Sequence, residues 1–499
     1  MVMVSQGRLR AAFARRLSEM YGQEVPAYRT LVEVCQKVND GVLRRAGAGA
    51  ERLGSIERVT AERHGAIRVG TPAELRQVSR IFGALGMYPV GFYDLREAAA
   101  SAVPVISTAF RPVAADELAG DPFRVFTSML TPADPRFFDP DLRERLARFL
   151  AGRQLFPPEL LELADRAARE RELPQEQAAR FTHLAVQAFA LGREPIDQAW
   201  YETLERISAV AADIGGVSST HINHLTPRVL DIDDLYARMT ERGITMIDQI
   251  QGPPRWSGPD VLLRQTSFRA LAEPRALRRP DGGLTTGSLR VRFGEVEARG
   301  IALTRAGRER YDDLQARADT YPDSRTDDRT DDRTDDRTDD RSADRSADGR
   351  ADNRADNRAD GTDGRARAAR ALWEREFPAT ERDLAVERLA FFTYQPVPDR
   401  PRDGRRPGTG LADLIDHGWV GAEPIVYEDF LPRSAAGIFQ SNLTGQGVKD
   451  DSHTAADYDS DWLSGAIGAE VLDPFTLYES QQRRSLQETA HALGLPEIT

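Results

Sequence analysis

Val59-Thr-Ala-Glu-Arg-His-Gly-Ala-Ile-Arg-Val-Gly-Thr71 reads as a strand that runs into the start of a helix. On an extended chain successive side chains point to opposite faces, so His64, Ala66 and Arg68 share one face and Ile67 and Val69 the other. One face thus carries an imidazole and a guanidinium with only a methyl group between them. Taken alone, the pattern describes a solvent-facing side of a strand. What the rest of the chain supplies decides whether that reading survives.

Outward from this stretch the chain repeats itself. A strand over Ile56 to Val69 leads into a helix announced by Thr71-Pro72-Ala73-Glu74, which offers an N-cap, proline at the first helical position and a capping-box glutamate. Leu75, Val78, Ile81, Phe82 and Leu85 form its apolar stripe, and Gly86 can end it. Strands over Tyr88 to Tyr93, Val103 to Val113 and Phe123 to Leu130 follow. The same order returns with a strand over Val217 to Val229, a helix from Asp231 to Arg242 closed by Gly243, and strands over Ile244 to Gln251, Val261 to Leu271 and Ser288 to Thr304. Both modules read βαβββ. The intervening stretch, about 116–214, is mostly helical, with runs over Gln175 to Leu191 and Ile196 to Ala212. The expected class is α+β, with two related sheets facing one site and a helical insertion covering part of it.

The bulk numbers agree with an ordinary globular chain. With 499 residues and 40% hydrophobic content it can bury a large core, enough for two to four domain-sized units. A net charge of −12 argues against nucleic acid, which needs clustered positive charge. Lys37 and Lys449 are the only lysines, a compositional bias rather than an arginine-rich surface. The single cysteine, Cys35, excludes an internal disulfide, fits a reducing compartment and lies in the apolar run Leu31, Val32, Val34, Cys35, Val38, as a buried small side chain would. The N-terminus lacks an apolar signal region, and no run is long enough to span a bilayer, so a cytoplasmic protein without membrane partners is expected. From about Ser324 to Arg365 the chain repeats Thr-Asp-Asp-Arg, Ser-Ala-Asp-Arg and Arg-Ala-Asp-Asn; such a tract buries too little apolar surface to offset its ordering entropy and reads as a disordered insertion. The expected division is therefore 1–320 as a catalytic region, with modules at about 56–130 and 217–304, a disordered insertion at 321–366, and a C-terminal segment at 367–499 that completes the site.

Three of the seven histidines fall on the first strands of the modules: His64 in the first, His221 and His224 in the second. An odd separation puts His221 and His224 on opposite faces of an uninterrupted strand, so one site takes only one of them. The last strand of the second module carries Glu295 and Glu297 on a shared face, and alternation does not choose between them. A buried carboxylate needs a cation, a metal or water, and Arg299 can neutralise Glu297. Two imidazoles and one carboxylate meeting in one cavity form the facial set of non-haem Fe(II) oxygenases.

Five segments carry a resemblance: Glu62-Arg-His-Gly-Ala-Ile-Arg-Val-Gly-Thr71, Asn223-His-Leu-Thr-Pro-Arg228, Leu263-Arg-Gln-Thr-Ser-Phe-Arg-Ala270, Phe293-Gly-Glu-Val-Glu-Ala-Arg-Gly-Ile-Ala-Leu-Thr304, and Tyr427-Glu-Asp-Phe-Leu-Pro-Arg-Ser-Ala-Ala-Gly-Ile-Phe-Gln-Ser-Asn-Leu443. Together they resemble the 2-oxoadipate dioxygenase/decarboxylase family, also called 2-hydroxyglutarate synthase. The resemblance implies a vicinal-oxygen-chelate-like sheet, Fe(II) held by His64, His224 and Glu295, and a substrate-binding arginine at Arg68. In the wider vicinal-oxygen-chelate group the ligand glutamate lies four before an arginine, which favours Glu295. Arg68 lies about 13 Å along the strand from His64 at roughly 3.3 Å per residue, and its long side chain can lean back so that a dicarboxylate bridges metal and guanidinium. Ser434, after Pro432, would present its hydroxyl and nearby backbone N–H groups to a carboxylate. Arg433 stands where the family more often has an apolar residue, an added charge that bears on substrate choice.

The implied reaction consumes 2-oxoadipate and O₂ and yields 2-hydroxyglutarate and CO₂, in lysine degradation, with no separate 2-oxo acid co-substrate. A glyoxalase-like lyase or isomerase using Zn²⁺ or Ni²⁺ without O₂ is the alternative enzyme on the same module plan. A non-catalytic binding protein with a structural triad is a third reading. The oligomeric state is not legible.

Overall fold

Ser55 divides the opening stretch in two. Its hydroxyl accepts from the Arg58 amide at 3.3 Å and starts a short helix, Ile56–Ala61, with Glu57 in its first turn. Only Arg63–Val69 (β1) is strand, so the expected strand begins seven residues late. The helix was hidden by the apolar spacing of Ile56 and Val59, which suits either period. The exposed-face reading of β1 also fails. His64 and Arg68 are 1% and 4% exposed, because β1 is an interior strand with neighbours on both edges.

The computed structural model describes residues 2–97, 103–270, 272–289, 292–320, 364, 366–400, 408–431 and 449–499. They separate into two compact units, one of 1–252, 262–300 and 426–481, the other of 253–261, 301–425 and 482–499.

In the first unit, Thr71 accepts from the Glu74 amide and opens the helix Pro72–Ala84, which buries Leu75, Val78, Ile81 and Phe82. Then come Tyr88–Asp94 (β2), Val105–Arg111 (β3) and Arg124–Leu130 (β4). The second module contributes His224–Pro227 (β5), Leu263–Phe268 (β6) and Gly294–Arg299 (β7). The strand order is β2-β3-β4-β1-β5, with β1 parallel to β4 and antiparallel to β5. Beyond β5 a parallel bridge joins Arg228 to Glu297, β7 pairs antiparallel with β6, and Met246 bridges antiparallel to Phe268. In each module, then, the first strand lies parallel to the last, the last antiparallel to the third, and the third antiparallel to the second. The two modules meet through their first strands, as a vicinal-oxygen-chelate-like pair.

Module two is more ragged than expected. The regular strand covers 224–227: just before it the Asn223 amide still donates to Ala66 O on β1, but the Ile222 amide turns away to Phe189 O. Over 244–251 only isolated bridges form, at Met246 and Gln251 on either side of a bend. The strand expected from Ser288 starts at Gly294, because 284–289 belongs to an unforeseen hairpin, Glu273–Arg278 with Leu284–Leu289. The expected helix from Asp231 forms as Ile232–Glu241, with Asp231 as its N-cap, and Gly243 follows in the left-handed region at φ 72°.

Between the modules lie the helices Pro140–Ala151, Pro158–Glu170, Gln175–Ala188, Gln198–Glu205 and Ala209–Gly215. The last two replace one expected helix; Ser208 interrupts it and recaps the chain by accepting from the Val210 amide. Two N-terminal helices, Gln6–Glu24 and Pro26–Ala46, pack Phe13, Leu17, Leu31, Val34 and buried Cys35 into the core that also holds Ile67, Val78 and Leu235.

The second unit has its own core, where Trp373 meets Trp256, Tyr311 and Phe377 ring to ring, and a hairpin of Phe392–Pro396 with Val420–Pro424. The Asp/Arg tract lies outside the described residues apart from residue 364. Among the described residues no helix is long and apolar enough to cross a membrane.

Candidate functional site

Sheet register decides which side chains meet. Residues directly paired across two strands share a face, and so do residues two apart on one strand. His64 pairs with Arg124 on β4 and with Thr226 on β5, while Ala66 pairs with His224. Arg228, in phase with His224 and Thr226, bridges to Glu297, and Glu295 is two residues away. One face of the joined sheets therefore gathers His64, Arg68, Arg124, His224, Thr226, Glu295 and Glu297. His221 precedes β5 and lies in a different neighbourhood.

His64, His224 and Glu295 converge, with one ligand atom from each within 4.8 Å of the others. His64 Nε2 lies 3.4 Å from Glu295 Oε1 and His224 Nε2 3.6 Å from Glu295 Oε2. The two imidazole rings meet edge to face at 5.5 Å. All three residues are buried. Both rings turn Nε2 toward the common point and Nδ1 away from it. His64 Nδ1 lies 3.1 Å from Glu297 Oε2, and His224 Nδ1 lies 3.0 Å from the Thr226 hydroxyl. Phenylalanines flank them: Phe430 meets the His64 ring edge to face and Phe293 stacks on the His224 ring, each at 5.0 Å.

The two glutamates left equivalent by strand alternation have different partners. Arg299 donates to Glu297 from Nε at 2.6 Å and Nη2 at 3.0 Å, and Arg124 Nη1 lies 3.5 Å away. Among the described residues Glu295 has no arginine within ion-pair distance; the groups its oxygens approach are the two imidazoles. Behind Glu297 the cluster continues. Arg124 pairs with Glu62 at 2.8 Å and with Glu428, Arg228 pairs with Glu62 at 2.9 Å, and Arg58 pairs with Glu428. Charges so deeply buried persist only when paired in this way, and removing one partner of a buried pair typically costs about 3–5 kcal/mol.

Electrostatics separates the groups further. Burial raises the Glu297 carboxyl, but Arg299, His64 and Arg124 outweigh it and hold the group down at about 2. Burial instead prevails at Glu295, which titrates above the usual carboxylate value. His64 is opposed by burial yet ends above its ordinary value, because Glu297 and Glu295 favour its charged form. His224 falls well below, through burial first and then the positive charges of His64 and Arg68. Two imidazoles with Nε2 aimed at one carboxylate, each backed at Nδ1, make a donor set suited to a divalent first-row metal with positions left for further ligands.

Arg68 pairs through Nη1 with the buried Asp213 on helix Ala209–Gly215. Asp213 also accepts from Asn223 Nδ2 at 3.0 Å and lies 3.4 Å from His221 Nε2, whose imidazole burial pushes down to about 4. Arg68 shares the sheet face of the triad, four residues after His64 on β1. Arg433 and Ser434 lie outside the described residues. The part of their motif just before them is firmly held. Arg299 donates to Tyr427 O at 2.7 Å and Asp429 O at 3.0 Å, Arg111 grips Asp429 from Nε at 2.7 Å and Nη2 at 3.1 Å, and the Tyr478 hydroxyl donates to Asp429. Sequence reasoning missed Asp213, Thr226, Arg124 and Phe430. Strand parity signals Thr226 and Arg124; Asp213 and Phe430 arrive from helix and loop, where no period announces them.

A family model described as 2-oxoadipate dioxygenase/decarboxylase matches residues 13–442. The chain belongs to the 2-oxoadipate dioxygenase/decarboxylase family. Relatives with that name include one from Mycobacterium tuberculosis (strain ATCC 25618 / H37Rv), 53% identical over 474 residues, covering 95% of this chain and 96% of the relative. Another, from Pseudomonas putida, is 40% identical over 505 residues, covering 99% and 98%. Among solved structures, the hydroxyglutarate synthase of Pseudomonas putida in complex with 2-oxoadipate superposes with a TM-score of 0.77 at 37% identity, covering 99% of each chain.

Proposed function

We propose that this enzyme converts 2-oxoadipate and O₂ into 2-hydroxyglutarate and CO₂, using Fe(II) held by His64, His224 and Glu295. The observation that carries the reading is the convergence of two Nε2 atoms and one arginine-free carboxylate at a single buried point. Ferrous iron bound through three protein ligands keeps coordination positions for a 2-oxo acid and for O₂ and supplies the electrons that activate O₂. The stoichiometry closes: the keto carbon becomes a carboxylate as the neighbouring carboxylate leaves as CO₂, and the second oxygen atom becomes the hydroxyl on the adjacent carbon.

The chain's own residues bind, orient and shield. Arg68 takes a substrate carboxylate through charge-assisted hydrogen bonds, while Asp213 keeps its guanidinium pointed across the sheet face. Arg433 and Ser434, which follow the anchored residues 427–429 in sequence, are assigned to the substrate as well. Phe430 and Phe126, packed at 5.0 Å, and Phe293 wall the ligands with apolar surface that excludes water from the reacting atoms. We place the reaction in lysine degradation in the cytoplasm.

Anaerobic reconstitution with Fe(II), followed by O₂ uptake and product analysis over a series of 2-oxo dicarboxylates, tests the reading. One O₂ consumed per CO₂ and 2-hydroxyglutarate formed supports it; turnover without O₂, or with Zn²⁺ in place of iron, contradicts it in favour of a lyase. Arg68→Met should raise KM for the dicarboxylate about 10–100-fold, the worth of a hydrogen bond to a charged group, with bound iron unchanged.

A further inference from the structure

The two histidines sit in equivalent positions of the two modules, yet their far nitrogens face different chemistry. His64 Nδ1 is buried and makes no hydrogen bond among the described residues, but Glu297 Oε2 stands 3.1 Å from it, at ion-pair distance. That carboxylate is fixed from behind by two contacts from Arg299 and one from Arg124. His224 Nδ1 meets only a neutral hydroxyl, that of Thr226, at 3.0 Å. A carboxylate that accepts the outer N–H of a ligand imidazole fixes its tautomer and raises the donor strength of the inner nitrogen.

We infer that Glu297 is a positioning residue that makes His64 the stronger of two unequal imidazole donors, with His224, backed by Thr226, the weaker. This rests on the metal site proposed above. Arg299 and Arg124 hold the Glu297 carboxylate from the side away from His64, which leaves Glu295 to face the common point. The arginine cluster behind Glu297 thereby acts on the metal through a single carboxylate and a single ring.

Two measurements test it. In the first, Fe(II) affinity is measured anaerobically by competition with a chelator for wild type, His64→Ala, Glu297→Gln and Thr226→Val. Glu297→Gln keeps the shape and an acceptor oxygen but removes the charge, and should weaken the metal about 10–100-fold, with Thr226→Val losing less. Unchanged affinity in Glu297→Gln, or an equal loss in Thr226→Val, overturns the inference. His64→Ala retaining full affinity instead overturns the metal site itself. The second needs no variant. In wild-type protein labelled with ¹⁵N-histidine and loaded with Zn²⁺ as a diamagnetic probe, His64 should be the Nδ1–H tautomer, its proton resonating further downfield than that of His224. A His64 without a proton on Nδ1, or with the less downfield resonance, refutes the inference even if Glu297→Gln fails to fold.

Discussion

Module one builds its sheet from strands of seven residues with one bulge between Val90 and Tyr93, whereas module two achieves the same strand order with four residues of β5, a bridge at Arg228 and isolated contacts at Met246 and Gln251. Yet the two are equal where the site needs them, at β1, β5 and β7. Ligand placement requires correct parity on three adjacent strands, and a strand of four residues sets parity as well as one of seven. The outer strands have no such duty, and in module two 244–251 meets β6 through isolated bridges in place of a ladder.

The comparison can be broken at several points. If the modules contribute equally, His64→Ala and His224→Ala should each lower metal affinity by more than about 100-fold, beyond the range expected for a residue behind a ligand; a chelator competition that finds one of them dispensable breaks the equivalence. Helix packing should also be equivalent despite the unequal sheets. Ile81→Ala and Leu235→Ala, both fully buried on corresponding helices, should each cost about 2–5 kcal/mol in denaturant unfolding. The tight glycines sharpen the contrast. A Cβ on Gly294 would lie 1.8 Å from the ring of buried Phe268, whereas one on Gly65 would meet the terminal methyl of Ile222 at 2.6 Å, which can turn aside. Gly294→Ala should cost about 1–3 kcal/mol and Gly65→Ala less, read as shifts in the unfolding midpoint.

The smallest effect is on pH. Glu297 is held at about 2 in the folded, metal-free chain, below its unfolded value, so it adds stability that is present above the ordinary carboxylate range and lost as pH falls toward 2. His64 has the opposite sign: raised on folding, it stabilises the metal-free chain below pH 6.5, and this is lost as pH rises through its folded value. Protons on His64 compete with metal, so affinity should decline on acidification with an onset above pH 6.5, while His224, shifted down, contributes nothing there. Metal titrations from pH 8 to pH 5 should show that onset; a decline starting only below pH 6 contradicts it.

Much of this was legible before any coordinates. Thr71-Pro72-Ala73-Glu74 and Asp231 announce their helices through local hydrogen bonds, and the strands of module one follow from alternation and turn residues. The placing of His64, His224 and Glu295 on sheet positions needed only period and order. The failures have a common cause, since alternation describes side chains and not who satisfies the backbone. Residues 217–223 look like strand, but the Ile222 amide serves Phe189 in place of β1; 56–61 look like strand until Ser55 caps them. Alternation left Glu295 and Glu297 tied; Arg299 and the resemblance pointed to Glu295, but the second arginine on Glu297, Arg124, lies 171 residues before Glu295 in the chain. Asp213 and Phe430 reach the site by tertiary packing alone.

The central claim is that one ion is held jointly by the two modules through Glu295 and not Glu297. Anomalous diffraction at the iron edge from anaerobically loaded crystals tests it most directly. The account predicts a single strong peak about 2.1 Å from His64 Nε2, His224 Nε2 and a Glu295 oxygen. A peak coordinated by Glu297, or none between the two imidazoles, would contradict it.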